Sequence, residues 1–448
     1  MDDLPQPLIL EILSRLDSFD LARCQIASRT LYAVAAEVRS IDLHCSYDRY
    51  TKSRSPETSA KVTPFKVIFK KLVSSSREVL ESVSLGVEKP LRGILYDDVE
   101  DESDDLYLMD VNFVAEWLSI VAGRLKSISI SDFWIQSCWR RSDILSLISS
   151  CCHCLLEIEL KNAWLSVDRL NQMPMITSLT LEFIRLDDED LAKVNDCFPS
   201  LQVLNLVGVG GLKDPKIHLS HLRICQWTVS NAPLSLTVIA PQLIQLKLKC
   251  VKPHLLVIDA PMLADFHLSL TEAKNLQVKE LHSLKTLRLE AAHLCSLVVS
   301  FPSSETIKNL KVDSPWPSQS AGILKFSIER LSDVFPNVEC LTLGPGAWLE
   351  AETWFCARDS KVIDGMKGVK NFFAHLFVND VEVTLSFILY MLEKFTNLTD
   401  MALLIHRDVE SSTTSNLMSR CMLHCAKVKW RWGLWKEGME DAWVSDGI

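Results

Sequence analysis

The feature that most constrains this chain is a spaced set of apolar residues, Leu-x-x-Leu-x-Leu with other apolar residues substituting, that recurs along most of its length. Copies stand at Leu80-Val83-Leu85, Leu125-Ile128-Ile130, Leu155-Ile158-Leu160, Ile176-Leu179-Leu181 and Leu201-Leu204-Leu206. They continue at Leu222-Cys225-Trp227, Leu243-Leu246-Leu248, Leu263-Phe266-Leu268 and Leu284-Leu287-Leu289. Weaker copies follow at Ile307-Leu310-Val312, Val338-Leu341-Leu343, Val369-Phe372-Ala374 and Leu398-Met401-Leu403. From Leu155 to Leu284 the starts lie 21, 25, 21, 21, 20 and 21 residues apart. A unit this short cannot bury its apolar side alone, so neighbouring copies must stack and share one core.

That period falls in the leucine-rich-repeat range, and it predicts an α/β fold: a curved solenoid whose strands form a parallel concave sheet. Pro174, Pro199, Pro241, Pro261 and Pro336 each stand two residues before a repeat, where a fixed φ and a missing N–H suit the start of a strand. The Asn of the standard repeat is not at its expected offset, where Ile184, Val209, Val251 and Ala292 stand, so no Asn ladder is expected. Repeats of 20–21 residues leave little room for a helix. Longer ones have room, and helical spacing predicts helices over 110–123, 142–150, 187–198 and 384–395, with coil or short turns in the middle of the array.

The first forty residues read differently. Leu8, Ile9, Ile12, Leu13 and Leu16 share one helix face, with Pro5 and Pro7 in the first turn. Asp17, Ser18 and Asp20 form a break. A second helix carries Leu21, Ala22, Cys24 and Ile26, and a third carries Leu31, Val34 and Ala35. Three such helices hide too little surface to stand alone. Leu4-Pro5, Leu8-Ile9, Ile12-Leu13-Ser14-Arg15-Leu16, Leu21-Ala22-Arg23-Cys24 and Ser28 together resemble an F-box. The sequence departs from the family pattern at Asp17, where Pro is usual, at Leu31, where Trp is usual, and at Ala27, where Val is common.

With the repeats behind it, the chain is similar to the plant F-box/leucine-rich-repeat proteins. That resemblance implies a non-catalytic substrate-recognition subunit of a Skp-cullin-F-box ubiquitin ligase. In such a subunit the F-box docks a Skp-type adaptor, and through it a cullin, while the repeats hold a target protein. It carries an adaptor-binding role onto Leu4, Pro5, Leu8, Ile9, Ile12, Leu13, Leu16, Leu21, Ala22 and Cys24. The expected organisation is an F-box over 1–40, a linker and first cap over 41–79, a repeat solenoid over 80–410 and a C-terminal cap over 411–448.

Composition narrows the classes. No basic segment precedes an apolar run at the N-terminus, and no stretch approaches eighteen uncharged apolar residues, so neither a signal peptide nor a membrane span is expected. Fourteen Cys in that setting point to reduced thiols and a cytoplasmic or nuclear location. A net charge of −10 argues against nucleic acid as the default partner. Cys151-Cys152-His153-Cys154 lacks zinc-site spacing, and Cys421, His424 and Cys425 lack a fourth ligand, so no metal or other cofactor is expected. Trp430, Trp432, Trp435 and Trp443 are expected to cap the last repeat. Residues 46–63 read as a polar loop, and the acidic run over 97–105, which includes Ser103, reads as a disordered insertion.

The residue between the last two apolar positions faces outward by strand alternation. Four successive repeats place Lys247, His267, Arg288 and Lys311 there, with Lys285 and Lys308 close by. At about 4.8 Å per strand this row extends over roughly 15 Å, enough for an acidic peptide, a phosphorylated target or a polyphosphate. Asp265, Glu290 and Asp313 are near enough to balance it. Two other classes remain open: a ligase-independent repeat scaffold, and a small-molecule receptor that uses the concave face. Nothing in the sequence supports an enzyme.

Overall fold

The computed structural model describes residues 4–88, 104–133, 140–229, 233–251, 253–271, 276–279, 281–315, 326–357, 366–424 and 427–445. The chain divides into two compact units, one formed by 1–222 with 226–231, the other by 223–225 with 232–448.

The first unit begins with α1 (Gln6–Leu13), α2 (Ser18–Ala27) and α3 (Arg29–Ala35). It continues through β1 (Ser40–Cys45), α4 (Tyr47–Arg54), α5 (Phe65–Ser76), β2 (Ser82–Val87), α6 (Val111–Val121), β3 (Ser127–Ser131) and β4 (Arg141–Ser142). Then come α7 (Ile144–Cys151), β5 (Glu157–Leu165), β6 (Ser178–Arg185), α8 (Asp188–Cys197), β7 (Val203–Val209), β8 (Lys216–His218) and β9 (Ile224–Val229). Strands β1, β2, β3, β5, β6 and β7 pair in parallel in that order. The register aligns repeat with repeat: Ile128 lies opposite Ile158, Ile158 opposite Leu179, and Leu179 opposite Leu204. All four are buried. Beyond that level β5, β6 and β7 turn at Asn162, Phe183 and Gly208, which share positive φ. Gly208 is required there, because a Cβ would come within 2.7 Å of the Phe183 ring.

In the second unit β10 (Ser235–Ile239), β11 (Gln245–Cys250), β12 (Leu255–Asp259), β13 (Asp265–Leu270), β14 (Leu276–Val278) and β15 (Thr286–Ala291) alternate between two parallel ladders. There follow α9 (Leu294–Ser300), β16 (Asn309–Asp313), α10 (Ile328–Val334), β17 (Cys340–Leu343), α11 (Pro345–Cys356) and β18 (Asn371–Leu376). The unit ends with α12 (Val381–Lys394), β19 (Asp400–His406), α13 (Ser411–His424), β20 (Lys429–Trp435) and β21 (Ala442–Ser445). The main ladder runs β11, β13, β15, β16, β17, β18, β19 and β20, all parallel. Among the described strands of this unit only β21 is antiparallel, against β20. Trp430, Trp432 and Trp435 are buried under this last pair, and Trp443 is exposed.

Four of the five prolines have a sharper role than starting a strand. In four of the repeats the N–H of the first apolar residue bonds back three residues: Ile176 to Met173, Leu201 to Phe198, Leu243 to Ala240, and Leu263 to Ala260. Pro174, Pro199, Pro241 and Pro261 are therefore the second residue of a β-turn, where φ near −65° is already set.

Several expectations are corrected. The middle repeats are not coil on their far side: β10, β12 and β14 form a second ladder, with Leu236, Val238, Leu256 and Ile258 buried. The strand ladder starts with β1, which begins at Ser40, the last residue given to the F-box, and runs on into the segment read as linker and cap. Residues 47–54 are helical rather than a loop, because the Ser46 hydroxyl accepts from the Arg49 N–H and Tyr50 is buried. Most of the acidic run, with Ser103, lies outside the described residues, as does Cys425. Its end is ordered: the Asp105 carboxylate accepts N–H bonds from Phe65 (2.7 Å) and Lys66 (3.1 Å), capping α5, whose own cap residue is Pro64.

Candidate functional site

The helical module has its own small core. Ile9, Leu13, Leu31, Val34, Ala35 and Val38 are buried together, with Leu10, Leu16, Leu21 and Cys24 packed against them. Two of the three departures from the family pattern, Asp17 and Leu31, have a structural role here. The Asp17 carboxylate caps α2 by accepting the Asp20 N–H at 2.7 Å, and Leu31 fills the core at 7% exposure. The Ser18 hydroxyl accepts the Asp42 N–H at 3.0 Å and so ties the module to β1.

The ten residues assigned to adaptor binding therefore separate. Leu4, Pro5, Leu8, Ile12 and Ala22 are exposed, with Leu8 at 52%. Leu16, Leu21 and Cys24 are half-buried. Ile9 and Leu13 are spent on the core, since they alternate with Leu8 and Ile12 around α1 and face α3. The sequence reading missed three exposed apolar side chains: Phe19, Ile26 at 89% exposure, and Tyr32. Phe19 and Ile26 are seven residues apart, two turns of α2, and that spacing was the available signal. The Arg23 guanidinium lies 4.2 Å above the Phe19 ring and keeps it on the surface.

On the open face of the second unit's ladder the expected row is in register. Lys247 pairs with His267, His267 with Arg288, Arg288 with Lys311, and Lys311 with Thr342. The row is not a bare cationic strip. Glu290, one outward position along β15, bonds the Arg288 Nε at 2.7 Å and lies 3.4 Å from His267 Nε2. His267 and Arg288 hold the Glu290 carboxyl down at about 2. Burial, with Arg288 alongside, pulls the Lys311 ammonium below its usual value. Lys308 is drawn to Glu339 at 2.9 Å, and Lys370 approaches the same carboxylate at 2.8 Å. Lys247 and Lys285 are exposed.

The other chemistry-bearing residues are structural. Burial pushes the thiols of Cys152, Cys225, Cys250 and Cys421 up to about 12. Among the described residues no group of three or more His, Cys, Asp or Glu could hold a metal ion.

A family model described as F-box-like matches residues 1–41, the three helices and the first residues of β1. An F-box/LRR-repeat protein of Arabidopsis thaliana is 48% identical over 453 aligned residues, which cover 99% of this chain and all of the relative. The chain belongs to the F-box/LRR-repeat family. F-box/LRR-repeat proteins serve in general as non-catalytic substrate adaptors of ubiquitin ligases, and F-box domains in general bind Skp-type adaptors. In this family member the two parallel ladders and the buried repeat leucines are the leucine-rich-repeat part, and α1 to α3 are the F-box. No helix among the described residues is long and apolar enough to cross a membrane.

Proposed function

We propose that this chain is the substrate-recognition subunit of a Skp-cullin-F-box ligase working in the cytoplasm or nucleus. Its F-box docks a Skp-type adaptor through Leu4, Leu8, Ile12, Phe19, Ile26 and Tyr32, and its ladder face holds a target protein. The observation that carries this reading is the split within the F-box: a filled core of Ile9, Leu13, Leu31, Val34, Ala35 and Val38, and a second set of apolar side chains left in water. Exposed apolar residues gathered on so small a module mark a protein interface. Pro5, Ala22, Leu16, Leu21 and Cys24 support that surface rather than form its centre.

Ubiquitin transfer would then be driven by proximity. The adaptor side fixes the chain near the charged conjugating enzyme and the ladder raises the local concentration of the target. For the ladder, Lys247, His267, Lys285, Arg288, Lys308 and Lys311 favour an acidic or phosphorylated target, with affinity moderated by Glu290 and Glu339. The test is a pull-down of a purified Skp-type adaptor by the chain and by its Leu8→Asp/Ile12→Asp variant. Capture by the parent and loss in the variant, with the unfolding midpoint unchanged, supports the docking reading. Failure of the parent to capture the adaptor would favour a ligase-independent scaffold.

A further inference from the structure

A cleft of about 380 Å³ lies in the first unit, apart from the F-box surface. It is framed by the end of β1, by α4 and by the start of α5. That volume is in the range of small-molecule sites. On α4, Arg49 and Ser53 are one turn apart, as are Tyr50 and Arg54, so one short helix brings two guanidinium groups to the same opening.

Contacts among the described residues hold these groups in place. Arg49 donates to the Thr63 carbonyl, which joins α4 to the chain just before α5. Arg54 donates to the Tyr50 hydroxyl and lies 5.4 Å from the centre of that ring. The buried Tyr50 ring itself rests on Phe133 at 5.5 Å. The acidic side chain on the wall, Asp105, is already occupied by the Phe65 and Lys66 N–H groups. Among the described residues that line it, the opening carries two guanidinium groups, Arg49 and Arg54, and one carboxylate, Asp105. The lining also has an apolar part, Val62, Pro64 and Leu106.

We propose that this cleft binds a small organic anion, with a carboxylate or phosphate monoester between Arg49 and Arg54 and an apolar body against Val62 and Leu106. Guanidinium forks match both oxyanion groups. A ligand seated there bridges α4 to α5 and stiffens residues 46–66, next to the strand whose Asp42 N–H donates to the Ser18 hydroxyl of the F-box.

The test uses the full chain with three probes: phenyl phosphate, benzoate and inorganic phosphate. Phenyl phosphate or benzoate should raise the unfolding midpoint saturably by a few degrees and slow amide exchange over residues 46–66. Arg49→Gln/Arg54→Gln should abolish both effects, while Arg420→Gln, whose side chain pairs with Glu382 elsewhere, should leave them. Should the double variant fail to fold, Val62→Asp places a repelling charge on the apolar part of the lining without touching either arginine, and should abolish the same effects. The proposal is overturned by equal protection from inorganic phosphate alone, by protection that survives the variants, or by no saturable response to any probe.

Discussion

The F-box surface and the ladder face of the second unit solve opposite problems. On α1, Leu8 and Ile12 stay in water although Ile9 and Leu13 beside them are buried, and on α2 Phe19 and Ile26 are exposed as well. On β13, β15 and β16 the central outward side chains are His267, Arg288 and Lys311, yet Glu290 has already taken Arg288 and faces His267. The first face is unsatisfied by itself and gains from any fitting partner. The second is largely satisfied, so a partner must compete with contacts the ladder makes for itself. Exposed apolar surface is therefore the stronger indicator of docking here, and a row of basic residues the weaker one.

The largest expected effect separates the two halves of the F-box. Leu13→Asp places an unpaired carboxylate in the core of the module, which should cost more than about 4 kcal/mol and melt α1 to α3. Leu8→Asp/Ile12→Asp should leave the module folded and weaken adaptor binding by at least about a hundredfold, or ~2.7 kcal/mol. Amide hydrogen exchange over residues 1–45 of the full chain distinguishes them. Equal melting by both variants would erase the distinction between core and surface on which the docking reading stands.

A second effect sharpens the contrast between compensated and sealed charge. Asp132, at the end of β3, is fully buried and accepts N–H bonds from Leu108, Met109 and Phe133, with Lys66 only at a distance. Burial pushes its carboxyl up to about 7, the reverse of Glu290 at about 2. In the unfolded chain Asp132 loses its proton near 3.8. Between that value and about 7 the folded chain keeps a proton the unfolded chain has released, so this group's contribution to stability falls as pH rises through the window and is level above it. Asp132→Asn should flatten the midpoint-against-pH curve between about pH 4 and 7. An unchanged slope would show that the three N–H bonds outweigh burial.

Much of this was legible in the sequence, for physical reasons that can be named. A fixed repeat period sets the strand register, so the Lys247-His267-Arg288-Lys311 row could be placed from spacing alone. Helical spacing with an Asp at the start located α6 and α8, whose caps are Asp110 and Asp187. What escaped was short or long-range. The strands β10, β12 and β14 are only three to five residues long, too short for their period to mark them. Helix α4 is nearly all polar and is anchored by Tyr50. The cap that starts α5 comes from Asp105, forty residues away. In the F-box, an amphipathic pattern shows that a face is apolar but not whether the module's own core uses it, which is why Ile9 and Leu13 were grouped with Leu8 and Ile12.

The smallest effect tests the ladder face directly. Glu290 is the acid that neutralises the row, so Glu290→Gln should free Arg288 and His267 for a partner while keeping the side chain's shape. Binding of a poly-glutamate probe at low salt should strengthen a few-fold, about 1 kcal/mol, and the gain should shrink as ionic strength rises and screening shortens. Lys247→Glu/Arg288→Glu/Lys311→Glu should do the opposite, since it sets new carboxylates beside Glu290. The pairing itself persists through neutral pH. The folded carboxyl at about 2 lies below its ordinary 4.5, so the stability it contributes is complete above about 4.5 and is lost as pH falls toward 2. If Glu290→Gln leaves probe binding unchanged while the triple reversal also has no effect, the row is a solvated face. Target capture must then be sought elsewhere on the ladder.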